Sequence, residues 1–175
     1  MTTPIANVAD APRHAGSHAP AFAYSMIELA GPAGGRAIGA NLTRVPPGKA
    51  AFPFHHHHAN EEHFFILSGS GVVRIGSAVH TVKAQDYLVH LPGGPAHAHQ
   101  LINTGEEDLV YLGISTRIMP EVVGYPDSAK TAVRTDEGAG SVFVIRDTAR
   151  NTAAYWDDED GRRVREIVAA GSTSA

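Results

Sequence analysis

From residue 21 onward, short apolar or alternating runs are separated by clusters of turn-forming residues. "FAYSMIELA" ends at the Gly-rich "GPAGG", and "RAIGANLTRV" ends at "PPG". "AFPFHHHH", "EEHFFILS", "VVRI", "AVHTV", "YLVHL", "HAHQLI" and "DLVYLGIST" follow, divided by "GSG", "GS", "KAQD", "PGGPA" and "NTGEE". Runs of about 4–9 residues bounded by Gly, Pro, Asn and Asp predict an all-β antiparallel sandwich or barrel. The gaps leave no room for crossover helices, which disfavours a parallel α/β sheet. Strand alternation puts Phe64 and Ile66 on the same side as Glu62, toward a core, and Phe65 and Leu67 on the other.

The ends are less regular. Residues 1–20 are rich in Ala, Pro, His and Ser without periodicity, and predict a flexible, extended or disordered arm holding His14 and His18. The barrel domain is expected over 21–146. Within it, "RIMPEVVGYPDSAKTAVRTDEGAGS" reads as a long loop with turns, and "VFVIR" as a strand. Residues 147–175 form an irregular tail that can close with a short helix in "YWDDEDGRRVREIVAAG". Trp156 is expected to pack that tail onto the barrel.

The 175 residues, 43% of them hydrophobic, suit one ordinary domain. A net charge of −4 without a basic patch argues against nucleic acid as a partner. The absence of cysteine excludes disulfides, thiolate metal sites and a cysteine nucleophile. No stretch approaches the roughly 20 apolar residues of a membrane span, and no apolar run near the start resembles a signal-peptide core. A cytoplasmic, non-membrane protein is the expectation. Gly31–Gly35 lacks the lysine of a phosphate-binding loop.

Histidine changes the picture. Of eleven histidines, nine lie between His55 and His99. The run "HHHH" at His55–His58 sits between apolar strands, unlike a terminal tag. On a strand His55 and His57 share one face, and His56 and His58 the other. Two imidazoles so spaced can converge on one metal ion, and a carboxylate completes sets suited to transition metals. Glu61 and Glu62 follow at the start of the next run. "GGPAHAHQLIN" supplies His97 and His99, again two apart.

These residues resemble the two motifs of the cupin superfamily. Gly48 is followed by His55-x-His57, four residues, Glu62, six residues and Gly69. Further on, Pro92-Gly93-Gly94 precedes His99, three residues and Asn103. The similarity spans about Pro46–Thr116 and resembles small single-domain bacterial cupins. It implies an antiparallel double-stranded β-helix, or jelly-roll barrel, with His55, His57, Glu62 and His99 as ligands of one divalent transition metal (Zn, Fe, Mn, Ni or Co). His56-x-His58 also fits the pattern; the gap back to Gly48 favours His55 and His57. Spacing to Asn103 favours His99 over His97. Gln85 stands where such proteins usually have glycine.

The resemblance further implies a homodimer and a small-molecule ligand or substrate. It points to a metal-dependent enzyme of sugar or sugar-phosphate isomerase or dioxygenase type; the alternative is a non-catalytic ligand-binding or sensor protein. No catalytic residue stands out. Asp86 is expected in a turn, and Tyr87, Tyr111 and Arg74 are candidate cavity residues. His97 is expected at a cavity mouth, and His63, His80 and His90 on strand surfaces or as polar core groups. "VVGYPDSAK" reads as a surface turn with a possible lid or dimer role.

Overall fold

The computed structural model describes residues 3–135, 142–146 and 155–171. In chain order the strands are β1 (Arg13–His18), β2 (Phe22–Glu28), β3 (Ile38–Val45), β4 (His56–His57), β5 (Glu62–Ser68), β6 (Ser70–Ile75) and β7 (Ala78–Lys83). They continue with β8 (Tyr87–His90), β9 (His99–Ile102), β10 (Leu109–Thr116), β11 (Glu121–Tyr125), β12 (Lys130–Arg134) and β13 (Val142–Arg146); helix α1 is Arg162–Gly171. Three sheets result, with orders β1-β2-β3-β10-β5-β8, β13-β12-β11-β4 and β7-β6-β9. Among the described residues, all strand pairs are antiparallel. This is the all-β antiparallel architecture that the run pattern predicts, and it is consistent with the jelly-roll barrel that the resemblance implies.

Between the sheets lies one core of Val45, Phe64, Ile66, Val73, Val82, Leu88, Leu101, Leu109 and Tyr111. Phe64 and Ile66 point inward and Leu67 outward, as alternation requires; Phe65 is half-buried. A second cluster of Ala21, Phe22, Ala50 and Ile102 is covered by Val164 and Ile167 of α1. The expected tail helix is thus present, and its apolar stripe is what docks it. Trp156 packs the tail on the barrel, stacked on His18 at 4.4 Å and beside Phe22 at 5.0 Å.

The structure corrects three expectations. The arm is not loose throughout: Arg13–His18 pairs with β2 along its whole length. Its small and polar residues offer no apolar face, so ladder hydrogen bonds and the His18–Trp156 stack hold it instead. Second, the segment expected to be a long loop after Thr116 contains the hairpin β11–β12, joined by the short 3-10 turn Pro126–Ser128. Inside "VVGYPDSAK" Lys130 is almost fully buried, donating to the Tyr155 and Asp157 carbonyls and pairing with Glu159 at 2.9 Å. That stretch anchors the tail. Third, of the expected strand "AFPFHHHH" only His56–His57 is a strand. Residues 136–141 and 147–154, which the expected loop and tail include, lie outside the described residues.

Candidate metal centre

Four elements meet at one end of the barrel. His55 and His99 are paired through their backbones: His99 N donates to His55 O at 2.7 Å, and His55 N to His99 O at 3.2 Å. This pair of hydrogen bonds between distant segments brings the two rings to 4.7 Å. β4 carries His57, whose ring lies 5.0 Å from that of His55. β5 begins with Glu62 and brings its carboxylate into the middle. Glu62 Oε2 lies 3.0 Å from His99 Nε2, 3.5 Å from His57 Nε2 and 3.9 Å from His55 Nε2.

The four sequence candidates therefore come together, but unequally. His55, Glu62 and His99 have ligand atoms within 4.8 Å of one another and form a group that could hold a divalent metal. His57 joins through Glu62 alone. His56 and His58 face away: the buried His56 bonds the Gly93 carbonyl through Nδ1 at 2.8 Å, and His58 is exposed. His97 sits exposed on the short 3-10 turn Pro95–His97 and is not part of the cluster. Glu61 turns outward to His63 at 2.6 Å.

The electrostatics suit a cation. Burial pushes the Glu62 carboxyl up, but the facing His57 and His99 rings outweigh it and hold the group well below the usual carboxylate range. Burial, then the neighbouring His99 and His57, drive His55 well below an ordinary imidazole, so it is neutral at pH 7. Burial lowers His57 as well, yet Glu62 and then Glu121 reverse this and raise it. His55 Nδ1 faces the Pro53 carbonyl at 2.8 Å, which fixes its proton there and leaves the Nε2 lone pair free. His57 Nε2 has no hydrogen-bond partner. Three imidazole nitrogens around one ionised carboxylate oxygen, with lone pairs to offer, fit a divalent transition metal.

The surroundings are mostly apolar. A cavity of ≈ 10 Å³ beside His55 and His99 is walled by Phe52, Phe64, Leu101 and Tyr111, room for about one water. Tyr111 is therefore a core wall. Arg74 lies elsewhere, paired with Asp127 at 2.7 Å beside a cavity of ≈ 200 Å³ at the start of α1. Tyr87 is exposed and bonded to His63, and Asp86 caps its turn by accepting from Lys83 N at 2.8 Å.

Three neighbours of the cluster carry no motif signal. Tyr125 stacks over His55 at 6.2 Å. His90 stacks on His99 at 3.9 Å and 14°. Glu121 approaches His57 Nδ1 to 3.8 Å. Only the register could have found them: Glu62 pairs with His90, and His57 with Val123, two residues from Glu121.

Residues 41–115 match the family model of the cupin domain, which places a domain of the cupin superfamily in that stretch. Among solved structures the chain is similar to a sugar phosphate isomerase of that superfamily from Silicibacter pomeroyi, with TM-score 0.74, 22% identity, and 85% of this chain and 96% of that one covered. A candidate sugar phosphate isomerase from Acidithiobacillus ferrooxidans gives TM-score 0.64 at 28% identity, covering 75% of this chain and 82% of its own. A predicted oxalate decarboxylase from Thermotoga maritima gives 0.55 at 22%, covering 64% and 97%. No curated protein matches the chain. Among the described residues, no helix is long and apolar enough to cross a membrane.

Proposed function

We propose that the protein is a metal-dependent enzyme acting on a small oxygenated molecule, with His55, His57, Glu62 and His99 holding one divalent transition metal. The carrying observation is the convergence of three imidazole Nε2 atoms on Glu62 Oε2. Such a donor set leaves positions open on the ion, and an open position distinguishes catalytic from closed structural sites. When bound, the metal supplies Lewis-acid polarisation of a substrate oxygen.

The chain's own residues do the rest. His55 and His99 are locked by their mutual backbone bonds, so the cluster is set before substrate arrives. Phe64 and Tyr111 wall the inner side so closely that it has room for about one water. The inner cavity is too small for a sugar, so substrate approaches from outside, where His55, His57 and Glu62 keep 15%, 16% and 19% of their side-chain surface. Isomerisation of a sugar phosphate is favoured over dioxygenation by the relative at 28% identity. The smallness of the cavity supports a second reading, a non-catalytic protein that holds a small ligand on the metal.

Two measurements test this. Untagged protein should carry about one transition-metal ion per chain by elemental analysis. Aldose and ketose phosphates incubated with it in D2O should interconvert and take up deuterium beside the carbonyl. Metal without turnover leaves the ligand-holding reading; protein that takes up no metal rejects both. The proposal includes a cytoplasmic homodimer built on the exposed apolar Leu67, Tyr87, Val89 and Leu91. A monomeric mass by light scattering rejects that assembly.

A further inference from the structure

Glu121 opens β11, beyond the matched domain of residues 41–115. Its side chain is 3% exposed. Oε1 accepts from His58 N at 3.0 Å and Ala59 N at 3.3 Å, and Asn60 Nδ2 donates to Oε2. Among the described residues, no lysine or arginine forms an ion pair with it. A buried carboxylate so placed is stable only if further donors face it.

A further donor that faces it is His57 Nδ1, 3.8 Å from Oε1. That nitrogen is buried and has no hydrogen-bond partner, while Nε2 of the same ring faces Glu62 at 3.5 Å. The His57 ring thus stands between two carboxylates, one at each nitrogen. The register explains why: β11 pairs with β4 through Val123 and His57, so Glu121 is two residues along and on the same face. An imidazole that offers Nε2 to a metal carries its proton on Nδ1, and a carboxylate behind Nδ1 fixes that tautomer and orientation.

We infer that Glu121 is a positioning residue: it holds His57 with its proton on Nδ1 and its Nε2 turned toward Glu62. The inference rests on the proposal that His57 helps to hold a divalent ion. It also accounts for His57 standing apart from the tighter group of His55, Glu62 and His99: its ring is tethered from behind by a strand outside the cupin domain. Capping the backbone of His58 and Ala59 needs only an acceptor, which glutamine also supplies. Strengthening the Nδ1–H bond of an imidazole that holds a metal through Nε2 needs the charge.

The test titrates zinc into metal-free wild type, Glu121→Gln and Glu121→Asp, against a competing chelator, and reads the imidazole nitrogens by 15N NMR. Glu121→Gln is expected to weaken zinc about tenfold or more. The His57 Nδ1 proton should move upfield, with circular dichroism unchanged. Glu121→Asp keeps the charge but withdraws it from the ring, and should lose affinity similarly; it carries the comparison if the glutamine variant does not fold. Wild-type affinity in the variants, or a His57 proton on Nε2 in the zinc form, overturns the inference and leaves the metal proposal standing. Wild type that takes up no zinc overturns both.

Discussion

Glu62 Oε2 and His99 Nε2 lie 3.0 Å apart across 37 residues of sequence. They also belong to different sheets, Glu62 to the six-stranded one and His99 to the three-stranded one. The cluster therefore assembles only when the barrel closes, and an ion bound there stabilises the closed fold by mass action. Metal at about a hundredfold over its Kd should add about 2.7 kcal/mol. Chelation should lower the melting temperature, and metal should restore it. In Glu62→Ala, His99→Ala, His55→Ala and His57→Ala the metal-dependent increment should vanish. If all four variants keep it, the site lies elsewhere.

His56 separates fold from metal. Its ring packs on Gly124, where an added Cβ would overlap the imidazole, and Nδ1 holds the Gly93 carbonyl. His56→Ala should lose about 2–4 kcal/mol by urea unfolding yet keep its metal. Gly124→Ala should cost about 1–3 kcal/mol by overpacking. His58→Ala, on an exposed ring, should change neither. A metal-free His56→Ala or His58→Ala variant that folds would mean that the wrong pair of histidines has been assigned to the ion.

Gln85 adopts φ 76°, a left-handed conformation natural to glycine, in the tight turn before β8. The resemblance places a glycine there, and the backbone explains why. Gln85→Gly should be neutral to stabilising by about 1 kcal/mol, the relief of strain being partly offset by chain entropy. A loss of stability in urea would show that the glutamine side chain supports the turn.

The barrel strands were legible because alternation works where one face is buried: Phe64 and Ile66 go in and Leu67 goes out. The hairpin β11–β12 was not, because Glu121 and Lys130 are charged and nevertheless buried. Pattern reading assigns such residues to water; here partners in other segments take them in. Strand β1 has no apolar face to read at all. Within the site, the histidines two apart and Glu62 were visible as local spacing. His90 and Glu121 are single residues brought in by cross-strand register, and no local signal marks them.

His90 makes the acid limb of stability specific. Its two ring nitrogens are buried without hydrogen-bond partners, and burial, with His99 next, lowers its pKa to about 3. A histidine with a lowered folded pKa binds fewer protons folded than unfolded below about pH 6.5. Its contribution is therefore complete above about pH 6.5 and is lost as pH falls from there toward 3. His90→Phe preserves the stack on His99 and removes both nitrogens. The metal-free variant should lose stability less steeply over that range, by about 1–4 kcal/mol in total. Parallel pH profiles for the two proteins would show that His90 is not held neutral.

Lys130 and Glu159 lie 2.9 Å apart with side chains 0% and 4% exposed, and they join the hairpin to the tail. The Ser128 hydroxyl donates to the same carboxylate. Removing one charge strands the other in the interior, which costs about 3–5 kcal/mol. Lys130→Met should show that loss, and proteolysis should then reach the tail before the barrel, since α1 is held besides mainly by Val164 and Ile167. Replacing both residues together, Lys130→Met with Glu159→Leu, should recover most of the stability, because two well-packed apolar side chains avoid desolvating an ion pair. The coupling from the double-mutant cycle separates this from ordinary packing loss. A double variant as unstable as the sum of its parts would mean that the tail is held by the Lys130 bonds to the Tyr155 and Asp157 carbonyls and not by the ion pair.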